Sequence, residues 1–282
     1  SSDTTWRDSY VRLKISKIES LAAHMVTHYT DGQIARVGGT YHSWDGSAYQ
    51  TVDVADLELT YSGSLSQAMW VSLVDQTLNS MQPCDSASEA AGSAGVAYSG
   101  PSQAAGGSKV VTVDTLGMST TLIFAVCYAE GSGDSSDTTW ADSGIRLTVS
   151  KVTSVEYGEA HSSLPVRTWR STNIMAATSR LPQVAGAVIT YTGDLGNGQY
   201  VSVVDVSANS YNPCVAGAQA AHAADGTHSG AQQAAGSSKA VTIPQSTLLQ
   251  DDTTYTVCYA AGYGNSSDTT WRDSYVRLKI SK

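Results

Sequence analysis

Seventeen residues occur twice in this chain without a single change. Ser1 to Lys17 reads SSDTTWRDSYVRLKISK, and Ser266 to Lys282 repeats it letter for letter. A third copy, Ser135 to Lys151, reads SSDTTWADSGIRLTVSK and differs at five positions. The tryptophans of the three copies, Trp6, Trp140 and Trp271, stand 134 and 131 residues apart, a full period of 265 in a chain of 282. Internal repetition on this scale dictates the architecture before any motif does, because each unit must fold in the same way and stack on its neighbour.

The rest of the unit repeats as well. LTYSG (59–63) matches ITYTG (189–193), and WVSLVD (70–75) matches YVSVVD (200–205). Pro83-Cys84 matches Pro213-Cys214, SGPSQAAGGSKVVTV (99–113) matches SGAQQAAGSSKAVTI (229–243), and AVCYAEGSG (125–133) matches TVCYAAGYG (256–264). The sequence therefore divides into a terminal strand at 1–17, a first module at 18–151 and a second at 152–282. Identical segments at the two ends read as a window on a longer tandem array, with 1–17 as the tail of a preceding module or a donor strand. Ser1 is neither an initiator Met nor part of a secretory signal, which fits a processed chain or a segment of something longer.

Period-two patterns fill the modules. Val11, Leu13 and Ile15 alternate with polar residues, as do Ile145, Leu147 and Val149, then Val276, Leu278 and Ile280. Such alternation marks a strand with one buried face. No segment carries a long amphipathic helix, so the expectation is all-β, two tandem sandwiches of about seven strands each. No Gly or Pro interrupts the passage from Leu13 to Ser20 or from Leu147 to Ser154. These nine apolar residues are thus expected to form inter-module strands, continuous through a joint without a flexible linker, with the apolar phase shifting and the strand changing face at Ser16-Lys17 and Ser150-Lys151.

One stretch carries a family resemblance. LLQDDTTYTVCYAAGYGNSSD (248–268) resembles the late strands of fibronectin type III and related immunoglobulin-like domains. The resemblance implies a corner role for Tyr255, its hydroxyl bonding backbone while its ring packs inward. The first module keeps only part of this, with Ile123 set opposite Tyr255. The likeness spans about twenty residues per module and implies a fold, not a function.

Cysteine placement adds a covalent constraint. Cys84 and Cys127 lie 43 residues apart, and Cys214 and Cys258 lie 44 apart, two per module at equivalent places. An even, repeated count argues for one disulfide within each module and for an oxidising, extracellular setting. No CxxC occurs, and the six histidines do not repeat between modules, so no metal site or cofactor is expected. His24 and His28 have ligand-like spacing, but not in a pattern that puts them on one face. Asp3, Asp8, Asp137, Asp142, Asp268 and Asp273 flank the repeated Trp and read as turn caps, with calcium at the joints as the sharper alternative. Trp6/Arg12, Trp140/Arg146 and Trp271/Arg277 suggest stacked cation–π pairs.

Charge and surface chemistry narrow the partners. A formal net charge of −9 repels phosphate backbones and anionic headgroups, which argues against nucleic acid and membrane surfaces. Asn265-Ser266-Ser267 is the one N-glycosylation sequon, and the Ala/Gly/Ser-rich stretches 85–109 and 215–239 read as long surface loops. No nucleophile elbow, phosphate loop, dinucleotide fingerprint or zincin motif is present. The expected function is non-enzymatic: a glycosylated repeat unit of an extracellular fibre, partnered by copies of itself along the fibre. The alternative is an adhesin or carbohydrate-binding stalk, using the loops at 40–49 with Trp44 and 167–173 with Trp169.

Overall fold

The computed structural model describes residues 15–37, 40–44, 49–53, 57–157, 167–170, 180–245 and 249–281, with side chains outside 40–44, 49–53 and 167–170. Val11, Leu13 and the rest of the segment 1–14 lie outside the described residues. Ile15 is described, sits outside any strand and is 91% exposed.

The first copy of the repeat supplies eleven strands. They are β1 (Ser20–Ala23), β2 (Val26–His28), β3 (Asp31–Ile34), β4 (Thr40–Trp44), β5 (Tyr49–Asp53) and β6 (Leu57–Ser62). There follow β7 (Trp70–Asp75), β8 (Ser102–Gln103), β9 (Val110–Val113), β10 (Phe124–Ala129) and β11 (Ala141–Val149). The second copy supplies β12 (Val152–Tyr157), β13 (Arg167–Arg170), β14 (Arg180–Pro182), β15 (Ala187–Gly193) and β16 (Tyr200–Asp205). It ends with β17 (Gln232–Gln233), β18 (Ala240–Ile243), β19 (Thr254–Ala260) and β20 (Arg272–Ser281).

Sheet order is the same in both copies. Four strands run β2-β1-β6-β9 and five run β3-β11-β10-β7-β8; their counterparts are β13-β12-β15-β18 and β14-β20-β19-β16-β17. All pairings within these sheets are antiparallel except the two edges, where β3 lies parallel to β11 and β14 parallel to β20. The protein is thus predominantly β, with strand outweighing helix by 41% to 10%.

Alternation explains the core. Leu57, Leu59 and Tyr61 of β6 face Phe124 and Val126 of β10 and Ile145, Leu147 and Val149 of β11 in one buried cluster. Leu21 and Val111 from one sheet and Ile34, Val71 and Leu73 from the other complete it. The second copy repeats this with Ile189, Tyr191, Val257, Val276, Leu278 and Ile280. Each such side chain contributes roughly 1.5–3 kcal/mol by leaving water. The six apolar residues of the repeated segment that lie in β11 and β20 therefore serve the core of their own copy, and Ile15 does not. β11 pairs with β10 and β3, and β20 with β19 and β14, so each strand closes its own sheet.

The odd residues of β10 face the other way and build a second layer. Cys84 bonds Cys127 and Cys214 bonds Cys258. Around the first disulfide pack Val74, Ala90, Ala125, Ala129 and Trp140; around the second, Val204, Ala220, Ala260 and Trp271. An immunoglobulin disulfide joins two sheets through the core. Here it ties three short helical turns (Leu78–Met81, Pro83–Asp85 and Ala87–Ala90 in the first copy) to the outer face of one sheet. The small residues of 85–109 make that close packing possible, so the stretch is a folded layer and not the free surface loop expected from composition. Two disulfides suit an oxidising compartment, and no helix among the described residues is long and apolar enough to cross a membrane.

Candidate functional site

The joint between the copies is the most specific structure in the molecule. β11 ends at Val149 and β12 begins at Val152, in different sheets, so the strand is not continuous as its sequence suggested. Ser150 and Lys151 make the switch. The Ser150 amide donates to Ile34 O (3.0 Å), and the Ser150 hydroxyl donates to Val152 O (3.0 Å) while accepting from Val152 N (3.2 Å). This local capping satisfies backbone groups that the interrupted ladder would leave unpaired.

A side chain and a backbone amide from distant parts of the second copy then hold the switch. Lys151 N donates to the Tyr259 hydroxyl at 3.0 Å, and Lys151 O accepts from Asp194 N at 2.7 Å. The first copy enters in the same manner. Lys17 N donates to the Tyr128 hydroxyl at 3.1 Å, Lys17 O accepts from Leu65 N at 2.9 Å, and Ser16 caps Ile18. Gly63 and Gly193 make the approach possible: each has φ near +108°, at +109° and +108°, and a Cβ would stand 2.4 Å from the Lys17 or Lys151 carbonyl. A two-residue connection gripped at both backbone groups leaves little freedom to swing.

Two further contacts cross between copies. The Arg36 guanidinium meets Asp194 at 2.8 Å while its Nε donates to Leu116 O, and Thr120 donates to the same Asp194 carboxylate at 3.1 Å. Asp194 is half exposed, so this pair fixes geometry more than it stabilises.

The other contact is buried. Tyr275 sits in β20 with φ +62°, a left-handed conformation rare for a bulky residue. Its counterpart in β11 is Gly144, with φ +83°. A bulge shared by both strands shifts the register between Ala125 and Cys127 and between Thr256 and Cys258. In β20 the bulge aims the Tyr275 ring out of its own copy and into the buried apolar cluster of the first, where it is 4% exposed. Its hydroxyl donates to Gln33 O, and Gln33 Nε2 donates back to Asp273 O at 2.7 Å. His24 lies against the ring, centroids 4.6 Å apart.

Beneath the ring, Arg277 and Asp273 form a bidentate pair at 2.8 Å, with side chains only 2% and 7% exposed. Arg277 also reaches the Thr256 hydroxyl, which donates to Asp273 at 2.6 Å. Burial lowers the His24 pKa to about 4, with the nearby Arg277 charge adding to the effect. Burial raises the Tyr275 hydroxyl well above its ordinary range. A cleft of ≈ 430 Å³ opens beside these contacts, lined by His28, Gln33 and Arg146 of one copy and Val215, Asp273 and Tyr275 of the other.

The expected site residues take definite places. The flanking acids do cap turns: Asp137 accepts from Gly133 N and from the amide and hydroxyl of Thr139, and Asp268 does the same with Gly264 and Thr270. Asp142 and Asp273 accept from the amides of Gly144 and Tyr275 and also pair with Arg146 and Arg277, so these arginines meet carboxylates and not the Trp rings proposed for them. Trp140 and Trp271 lie over the disulfides, their indoles donating to Asp134 O and Asn265 O.

Asn265 is exposed in a turn, its side-chain Oδ1 accepting from the Ser267 amide at 3.0 Å and hydroxyl at 2.8 Å. The Tyr255 hydroxyl donates to Gly226 O and accepts from Gln250 N, both at 2.7 Å, with the ring fully buried. Pairing places Phe124 opposite Leu147 and Asp75 just as Tyr255 lies opposite Leu278 and Asp205. Phe124, not Ile123, is therefore the counterpart of Tyr255. Ile123 is 41% exposed and lines the cleft. Trp44 and Trp169 have side chains outside the described residues.

Two features escaped the sequence reading. Gln33 and Tyr275 are 242 residues apart and have no motif, though the Gly144/Tyr275 difference between otherwise matched strands was a usable signal. His222, Asp225 and His228 gather their ligand atoms within 4.8 Å, the one such group of three among the described residues. Their H-x2-D-x2-H spacing was visible, but a reading by repeats set it aside because the first copy lacks it. Neither a protein-family model nor a curated protein matches this chain.

Proposed function

We propose that the chain is a non-enzymatic structural repeat unit of an extracellular fibre or surface filament. In this reading, tandem immunoglobulin-like sandwiches, each pinned by one disulfide, join without flexible linkers into a stiff rod. The single observation that carries it is the joint: a two-residue connection in which Ser150 is held by Ile34 of the first copy and Lys151 by Tyr259 and Asp194 of the second, with the Tyr275 ring buried across the contact. Independent domains have no need to bury a strained tyrosine in a neighbour.

The partners are further copies of the same unit, and Asn265 in its exposed turn is the proposed glycan attachment point. Small-angle scattering of the full chain, with scattering of a concatemer of its 265-residue period, tests the proposal. A stiff fibre predicts one fixed length increment per period and a narrow distance distribution. A broad distribution, with copies swinging independently, overturns it. Saturable binding to a glycan array would favour the carbohydrate-binding stalk instead.

A further inference from the structure

The loop that follows the helical turns is built on the same backbone in both copies but carries different chemistry. Asp225 N donates to His228 O at 2.8 Å, as Gly95 N donates to Tyr98 O at 2.9 Å. Asp205 N donates to Thr227 O as Asp75 N donates to Ala97 O, both at 2.8 Å. On that shared scaffold, Gly92, Gly95 and Tyr98 of the first copy become His222, Asp225 and His228 of the second. In the first copy the Tyr98 ring fills the space, since a Cβ on Gly92 would stand 2.5 Å from it, and its hydroxyl donates to Glu89 at 2.5 Å. In the second copy that aromatic plug is replaced by two imidazoles and a carboxylate at once.

We propose that His222, Asp225 and His228 bind one divalent ion of the Zn²⁺, Co²⁺, Ni²⁺ or Cu²⁺ class. Nδ1 of His222 lies 3.6 Å from Asp225 Oδ2 and 2.9 Å from Ala223 O, and Nδ1 of His228 lies 3.0 Å from Asp225 Oδ1 and 2.9 Å from Thr227 Oγ1, so the ion takes the place of the Ala223 hydrogen bond at His222. Ligand bonds of about 2.0–2.1 Å in tetrahedral array set donors about 3.3 Å apart; the two His–Asp spacings lie near that, and the three donors as a set, within 4.8 Å of one another, draw together on the ion. The imidazole rings lie with centroids 4.5 Å apart, close enough to share one ion.

Orientation is supplied from outside the three ligands. Asp225 Oδ1 accepts from Thr227 N, Thr227 Oγ1 and His228 N, which leaves Oδ2 directed at His222. Burial opposes ionisation of this carboxyl, but the hydrogen bonds from Thr227 and His228 outweigh it and hold its pKa at about 2.

Two nitrogens and one oxygen suit borderline metals; calcium and magnesium take oxygen donors. His228 is nearly buried, at 10%, whereas His222 and Asp225 are 48% and 42% exposed. The open side leaves room for water or a donor from another molecule to complete the shell. The site does not depend on the fibre reading, since all three ligands belong to one copy.

Calorimetric titration of ZnCl2 into the EDTA-stripped full chain tests this. The expected result is one equivalent of Zn²⁺ per chain and a raised Tm in its presence. His222→Ala, at a half-exposed position, weakens binding at least about tenfold. The triple change His222→Gly, Asp225→Gly, His228→Tyr installs the first copy's residues on the same backbone and abolishes binding. The absence of saturable heat with the unaltered chain overturns the proposal, as does an unchanged isotherm in His222→Ala. If the triple variant fails to fold by circular dichroism, the His222→Ala isotherm alone decides.

Discussion

β11 and β20 are nearly the same strand met twice. Both carry an Asp and an Arg four residues apart on the outward face, both bulge one residue after the Asp-Ser pair, and both feed an apolar inward stripe into a core. Their surroundings differ sharply. Asp142 and Arg146 keep about three-tenths of their side-chain area in solvent, whereas Asp273 and Arg277 are all but buried beneath Tyr275 and the first copy. Five letters differ between the strands, and Gly144 against Tyr275 is the one that sets a buried ring across the contact. The inward face of a repeated strand is set by its own copy; the outward face is set by whatever the neighbour places on it.

This contrast can be broken most forcefully at the arginines. Arg277→Met leaves Asp273 buried without its bidentate partner and is expected to cost about 3 kcal/mol in urea unfolding. The matched change Arg146→Met, in a half-solvated pair, should cost under about 1 kcal/mol. Equal losses would mean that the burial difference has no energetic consequence.

Acid probes the same contact from the other side. His24 packs on Tyr275 and titrates near pH 4 in the fold, against its ordinary 6.5. The unfolded chain therefore takes up this proton first as pH falls. Stability is full above about pH 6.5 and declines toward pH 4, by about 2 kcal/mol at pH 5. Denaturant midpoints at pH 7, 6 and 5 check this, and His24→Phe should flatten the profile.

A gentler comparison is between Tyr255 and Phe124. Tyr255→Phe gives the second copy the first copy's ring and strands Gly226 O and Gln250 N. The expected loss is about 1 kcal/mol with no change in fold, read as a shifted midpoint at constant slope.

Much of this was legible in the letters, and what was not has a physical cause. The period-two stripes of 145–149 and 276–280 identified strands and their inward faces, because burial alone sets that pattern. Equivalent cysteines were paired as their repetition implied, and Tyr255 found its backbone partners. The phase shift at Ser150–Lys151 marked the change of face but not the break in the strand, since a two-residue switch between sheets needs no Gly or Pro when a serine hydroxyl caps it and a distant tyrosine holds it. The role of Tyr275 was hidden too, because a positive φ at a tyrosine runs against local preference and survives only through a contact 242 residues away. The outer position of the disulfides could not be read from their spacing, which is the same whichever face of β10 carries the cysteine.

Hydrogen exchange read by mass spectrometry over 272–281 and 141–149 tests the docking of the second copy on the first most directly. The amides of β20 around Tyr275 are predicted to exchange markedly more slowly than their counterparts around Gly144, and Tyr275→Gly should bring the two strands to similar rates. Equal protection in the unaltered chain, or slow exchange in β20 that survives Tyr275→Gly, would contradict a joint locked by that ring.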